Sequence, residues 1–393
     1  MVSFAYIAKG KLHVWKDGED REIESSFAEA YQDRVRALHR KQAWKEEGSG
    51  ARFQRGGMPL WGDKDELEAV PVAFTGVAPG PSPNTLLYTL STGVVGGVFL
   101  HDLKSGEEKR IFHSADHRIE SIATAPHHAV VACTLRGRDG SSAVAVMAPD
   151  GSELSPVTDG DVIDLAPAWL PEDAASVEER HQLVFQSAGM GRDEQGNFVA
   201  IGPAATLLLD AEHGEMQTLL DSERSDHLQP RMNAERDLFF IRRPYVSGHA
   251  VNPFRALADV VLFPFRLLRA VVSWLSFFSM KYTGKPLVSS GSARQRSLDL
   301  RQMMMTGNLA AARADARADA EKEFRKAIRD WVLVKRTEAG EETALASRVC
   351  CFDLAPEGVV YSDGFRVVLQ QGAAHTELAK VRHLTQLCVV PTS

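Results

Sequence analysis

Apolar and polar residues alternate in short runs along most of the chain. The runs come in pairs, joined by a polar turn that ends in glycine. The pattern first occurs in LHVWKDGEDREIE (12–24). It returns as VFLHDLKSGEEKRIF (98–112), AVMAPDGSELSPVT (145–158), TLLLDAEHGEMQTLL (206–220), WVLVKRTEAGEETALA (331–346) and RVVLQQGAAHTELA (366–379). A period of two places neighbouring side chains on opposite faces of a strand. Glycine takes the positive φ that tight hairpins require. Six hairpins are therefore expected, turning at Gly18, Gly106, Gly151, Gly214, Gly340 and Gly372.

A second pattern precedes most of these hairpins: a strand, a turn that usually contains proline, and another strand. It occurs in residues 71–91, 119–135, 162–188, 227–243 and 349–364. Each unit then holds four short antiparallel strands at a spacing of about 45–60 residues, which fits the blades of a β-propeller. The fold class expected is all-β, a propeller of six blades, with seven as the alternative because residues 57–70 find no place in the repeat. FAYIAKG and KLHVW have no long strand before them, and HLTQLCVV (383–390) has no hairpin after it. Pairing these termini in one blade would close the ring and remove its free edges. The whole chain, 1–393, reads as this one domain with helical insertions.

Two segments carry a resemblance: APAWLPEDAASVEERHQLVFQSAG (166–189) and GEMQTLLDSERSDHLQPRMNAERDLFFI (214–241). They resemble the TolB-like six-bladed propeller repeat, in which an aromatic–x–Pro–acidic turn precedes a strand. The likeness is best over 70–245 and weaker over 349–390. It implies a propeller and a bacterial source, and says little about activity. The N-terminus lacks a basic segment, an apolar run and a cleavage site, so no secretory leader is expected. A role in the Tol system is not implied.

Two insertions interrupt the repeat. The first, 25–57 in blade one, reads as a helix that opens with a capping box at Ser26 and Glu29. Phe27, Tyr31, Val35 and Leu38 form an apolar stripe on it. Arg34, Arg36, Arg40, Lys41 and Lys45 form a basic face, either solvated or a docking surface for an acidic partner or a membrane.

The second insertion, 247–330 in blade five, separates LFFIRRPYV (238–246), read as that blade's inner strand, from its partner WVLVKR. It divides into an apolar stretch (252–281), a Gly/Ser-rich link and a charged, Ala-rich helix (309–330) read as exposed. The apolar stretch is a poor membrane span. Its longest uncharged run is Ala270–Met280, short of the roughly 18–20 residues needed. Arg266 and Arg269 cost about 2.5–3.5 kcal/mol each, and its Leu, Val and Phe residues recover only about 4–8 kcal/mol. A single crossing would also place the last blade across the membrane from the first four. An amphipathic helix fits better. Arg255, Asp259, Arg266, Arg269 and Ser273 share one face, and Pro264 kinks or breaks the helix. The candidate binding surface is Phe254, Val260, Phe263, Phe265, Arg266, Leu267, Arg269, Val271, Trp274, Leu275, Phe278 and Lys281. Residues 248–301 carry eight Lys/Arg and two Asp in a chain of net charge −7. A basic, aromatic helix on an acidic body has the composition of an in-plane membrane anchor. The alternatives, in falling order, are a partner protein or a second copy of the chain, and the propeller itself, covering that face.

Composition narrows the function classes. A hydrophobic fraction of 44% and a charged fraction of 25% are globular values. The net charge argues against a nucleic-acid partner. Cys133, Cys350, Cys351 and Cys388 have no metal-site spacing and read as buried, reduced thiols of a cytoplasmic protein. No HExxH, G-x-S-x-G, Walker A or GxGxxG motif occurs. SAGMGRDEQGNF (187–198) reads as a hairpin loop, and Asp226 and His227 as candidates to face a central channel. No cofactor and no catalytic residue are expected. The first functional expectation is a non-enzymatic interaction scaffold, cytoplasmic and peripheral at the inner membrane face. The alternatives are a hydrolase or lactonase with a channel-bound metal and 252–281 as its lid, and an obligate oligomer joined through 252–281.

Overall fold

The computed structural model describes residues 2–47, 72–92, 96–116, 118–125, 130–137, 139–171, 182–196, 198–246 and 318–391. The chain forms two compact units. One comprises Met1–Gln32, Val70–Val246 and Gln302–Ser393, and the other Asp33–Ala69 and Ser247–Arg301. The first holds 29 Lys/Arg against 43 Asp/Glu, a net −14, and the second 16 against 9, a net +7.

All the described strands belong to the first unit. The chain opens with β1 (Ser3–Ala8), β2 (Lys11–Lys16) and β3 (Glu19–Ile23), followed by helix α1 (Ser26–Glu47). Next come β4 (Ala73–Pro79), β5 (Thr85–Ser91), β6 (Gly96–Asp102) and β7 (Glu108–Ser114), an antiparallel sheet in that order. The strands β8 (Arg118–Thr124), β9 (Val131–Arg136), β10 (Ser142–Met147) and β11 (Ser155–Pro156) form a third array. The fourth is β12 (Val162–Trp169), β13 (Gln182–Arg192), β15 (Ala205–Asp210) and β16 (Met216–Leu220), with β14 (Phe198–Ile201) on the far end of β13. One parallel bridge, Ser142 to Ile163, links the third and fourth arrays into a nine-stranded sheet. The fifth is β17 (Ser225–Met232), β18 (Leu238–Pro244), β19 (Val332–Arg336) and β20 (Glu342–Ser347), with helix α2 (Ala318–Ala327) before β19. The sixth is β21 (Cys351–Ala355), β22 (Gly358–Ser362), β23 (Arg366–Gln371) and β24 (Ala374–Lys380). Last, β25 (Leu384–Val390) returns to pair antiparallel with β1, from Ser3 opposite Val390 to Ala8 opposite Leu384.

The first strands of the arrays pack side by side in the cyclic order β25, β4, β8, β12, β17, β21 and back to β25. The apolar positions of successive strands fill the spaces between neighbouring arrays. Phe4, Leu384 and Phe352 lie in one core cluster, Leu86, Tyr88 and Leu12 in another. All six predicted turn glycines connect the third and fourth strands of an array, and all have positive φ, between 59° and 91°. The turn glycine therefore marks the outer hairpin.

Three expectations need correction. LFFIRRPYV lies on β18, the second strand of its array. β17 is innermost instead: it packs against β12 and β21, and its register with β18 shifts between Leu228 and Arg231. The cap of α1 is Ser25 and not Ser26: Ala28 N–H donates to Ser25 Oγ at 3.2 Å, and Ser26 already lies in the helix. The third correction concerns α2, read as exposed. Phe324 and Ile328, four residues apart, are 8% and 1% exposed. Phe324 lies against Gly364, at 5.5 Å from the Phe365 ring, and Arg325 sits 4.0 Å over that ring. Residues 309–317 of that predicted helix lie outside the described residues. All four cysteines are free and buried, as expected, and burial pushes the Cys133 thiol up to about 12.

Two of the six turns should respond differently to alanine. At Gly214 a Cβ meets nothing within 4 Å, so Gly214→Ala should cost about 1–2 kcal/mol, the left-handed backbone penalty alone. At Gly151 a Cβ would overlap the Ile111 carbonyl of the neighbouring array, so Gly151→Ala should cost more. Urea denaturation of the two variants gives the order.

Candidate functional site

The innermost strands place polar side chains where a sheet of this kind would ordinarily bury apolar ones. Five of these strands carry a register shift: β4 after Phe74, β8 after Ile119, β12 after Leu165, β17 after Leu228 and β25 after Leu384. A bulge re-aims the side chains beside it. Ala166 and Gln229, at two of these bulges, have φ of 53° and 52°. Glu120, Ser121, Gln229, Arg231, Asp353 and Gln386 are half-buried on these strands.

Hydrogen bonds from the inner strands link each array to the next around the ring, one of them reaching Gln186 on β13. Gln386 Nε2 donates to Thr75 O at 2.7 Å, and Thr75 Oγ1 to Ile119 O at 2.9 Å. Trp169 Nε1 donates to Ala123 O at 3.2 Å. Gln229 accounts for two steps: its N–H donates to Gln186 Oε1 at 2.8 Å, and its Nε2 to Cys350 O at 3.1 Å. Val389 N–H donates to Asp353 Oδ2 at 2.7 Å and completes the circuit.

Two ion pairs sit within this girdle. Arg136 holds Glu120 through both carboxylate oxygens, at 3.1 and 3.0 Å. Arg231 Nε lies 3.4 Å from Asp353 Oδ1. Burial raises the Asp353 carboxyl although Arg231 and the Val389 N–H pull it down. Burial likewise pushes the neighbouring Cys351 and Cys388 thiols well above the usual range, so both stay protonated. The charges of the girdle are thus matched within it. Among the described residues no three His, Cys, Asp or Glu side chains are grouped to hold a metal ion.

Of the channel candidates, Asp226 is 2% exposed and engaged with Arg243 Nε at 2.7 Å and Ala204 N–H at 2.9 Å. His227 packs edge-on to Phe240, 5.1 Å between ring centres. SAGMGRDEQGNF is the hairpin expected, built from the end of β13 and from β14.

The predicted docking residues divide by element. Arg34 and Arg36 are exposed on α1, with Arg36 3.3 Å from Asp33. Arg40, Lys41 and Lys45 lie on the same helix. The 252–281 surface, Phe254 through Lys281, lies outside the described residues. No helix among the described residues is long and apolar enough to cross a membrane.

The start of the first insertion and both ends of the second are described, and they are firmly held. Glu108, at the start of β7, caps α1 from the adjacent array. Its carboxylate accepts from Ser25 Oγ and Ser26 Oγ at 2.5 Å each, from Phe27 N–H at 3.2 Å and from Tyr88 Oη. Burial works to raise this carboxyl, but the four donors outweigh it and hold it below the usual range. A carboxylate at a helix N-terminus also meets the positive end of the helix dipole. Phe27 packs 5.0 Å from Phe99, under the Arg110 guanidinium. At the second insertion, Arg243 is paired with Asp226 and stacks 5.1 Å from the ring of Trp331, the residue before β19. Sequence reasoning missed the girdle and Glu108. The only signal was a polar residue inside an apolar run, as in IESIA, LQPRM and CFDLA.

No protein-family model matches the chain, and no curated protein matches its sequence. Solved structures do match its fold. A chain of the nidogen/laminin complex superposes with a TM-score of 0.51 at 9% identity, over 99% of this chain and 98% of that one. TolB from Acinetobacter baumannii superposes with a TM-score of 0.51 at 10% identity, over 100% of this chain and 67% of that one. At such identities the likeness concerns the fold alone, and the fold is a β-propeller with helical insertions.

The girdle and the buried imidazoles make two predictions. Arg231→Met leaves Asp353 without its cation and should cost about 1–3 kcal/mol, part of which Asp353→Asn should restore. A double-mutant cycle in urea measures the coupling. Burial lowers the His101 and His227 imidazoles, so the unfolded chain takes up protons more readily. Their contribution to stability is complete above the usual imidazole value of about 6.5 and is lost as pH falls from there through the folded-state values. Melting temperature should fall below about pH 6.5, and less steeply in His101→Gln/His227→Gln.

Proposed function

We propose that this chain is a non-enzymatic interaction scaffold: a six-bladed, TolB-like propeller docked to an anionic membrane surface through residues 252–281. The carrying observation is the segregation of charge. The unit of residues 33–69 and 247–301, which holds most of both insertions, has a net charge of +7, and the unit that contains the sheets −14. Each basic residue near an anionic bilayer contributes about 1 kcal/mol, and an acidic body is repelled from the same surface. Such a chain would meet the bilayer with its basic insertions first.

Other features support the reading. The six four-stranded arrays among the described residues favour six blades over seven. β18 and β19 pair in continuous register, Leu238 with Arg336 to Arg242 with Val332, although residues 245–331 intervene. The sheet pairing of this array is therefore made without a strand from the insertion. The girdle carboxylates Glu120 and Asp353 are already paired with arginine, which favours a structural axis over a catalytic one.

Liposome flotation tests this. The full chain should float with anionic vesicles and not with neutral ones, and a version with 248–300 replaced by a short Gly/Ser linker should stay in solution. Arg266→Gln/Arg269→Gln should weaken partitioning about 30-fold, the equivalent of about 2 kcal/mol. If nothing floats, and the full chain is an oligomer that the linker version dissolves, the segment is a protein interface.

A further inference from the structure

Among the described residues, the large apolar side chains left exposed are Phe198 (43%), Val199 (45%), Met216 (51%) and Val246 (70%). Two of the four share one short strand. Phe198 and Val199 are adjacent on β14, and Val246 follows Tyr245, whose hydroxyl donates to Ile201 O of β14 at 2.6 Å. Among the described residues β14 pairs with β13 alone and forms an edge, and Tyr245 already occupies its Ile201 carbonyl. Natural edge strands are usually guarded by a charge, a proline or a covering segment. The strand is short and its register shifts once, but FVAI has neither charge nor proline and exposes Phe198 and Val199, so its unpaired side can take an added strand.

The surroundings specify what would be added. Asp193 and Glu194 are exposed at the tip of the hairpin. Asp139 and Asp161 flank it, bound to Arg192 at 2.6 Å each. These five residues carry four negative charges and one positive. We propose that the β13–β14 hairpin is a docking edge for an extended basic peptide of a partner protein, which joins β14 as a further strand. Main-chain hydrogen bonds hold the peptide, Phe198 and Val199 contact its apolar side chains, and the acidic tip selects Lys and Arg. The edge would be the recruiting surface of the scaffold and rests on that reading, but it does not involve residues 248–300.

The test is fluorescence anisotropy of the full chain with three labelled octapeptides: alternating Lys/Val, alternating Glu/Val, and Lys/Val methylated at alternate backbone amides. The Lys/Val peptide should bind, the other two at least tenfold more weakly, and added salt should weaken binding. Glu194→Lys and Phe198→Ser, which leave the backbone unaltered, should each weaken it at least threefold. Equal binding of the Glu/Val or the methylated peptide overturns the proposal, as does no binding at about 1 mM. So does an oligomer of the full chain that Phe198→Ser dissolves, since a second copy would then occupy the edge. Replacing 248–300 by the linker should leave peptide binding unchanged. If that replacement removes peptide binding, the hairpin proposal fails while membrane docking stands, and failure of flotation alone leaves the hairpin proposal intact.

Discussion

The pairing of β25 with β1 is the constraint on which the other sheets depend. It joins residues 384–390 to residues 3–8, the two ends of the described chain. Without it, the sheet of β1, β2 and β3 would present an open inner edge, and the cycle of inner strands would end at β21. Such a contact carries a large loop-closure entropy, which grows only slowly with length. The circuit of inter-strand hydrogen bonds then makes each array a partner of its neighbours. Thr385 Oγ1 donating to Ile7 O at 3.2 Å lies at the seam itself.

A closed ring explains why so long an insertion is tolerated. β18 and β19 meet in register because sheet pairing and packing of the adjacent arrays specify them, and extra loop length costs little. The chain is instead controlled where it leaves and re-enters the sheets. Glu108 gathers four donors at the start of α1. Arg243, Asp226 and Trp331 clamp the second junction, and Phe324 and Ile328 seat α2 in the core. The inner girdle adds a second layer of specification. Half-buried Arg136–Glu120 and Arg231–Asp353 each need their partner, so a misplaced inner strand would leave a charge unpaired.

Much of this was legible in the sequence, since it is written in local patterns. The alternation of period two, the six turn glycines and the strand-like termini each report a local conformational need, and positive φ at Gly18, Gly106, Gly151, Gly214, Gly340 and Gly372 meets it. The apolar, basic character of 252–281 is likewise a property of the chain alone. The misread cap shows the boundary of such reasoning. SSF at 25–27 offers two serines, and the choice of Ser25 depends on Glu108, which arrives from another array.

The tertiary structure alone decided what the polar residues of the inner strands do. Glu120 and Arg136 are sixteen residues apart, Arg231 and Asp353 much further, and no period links them. Phe324 in an Ala-rich charged helix looks exposed until Gly364 and Phe365 come to lie beneath it. Local sequence determined strands, turns and the character of the insertions, because backbone preference and side-chain alternation act over a few residues. Partners across the ring were decided by folding, because burial and charge pairing depend on which surfaces the closed ring brings together.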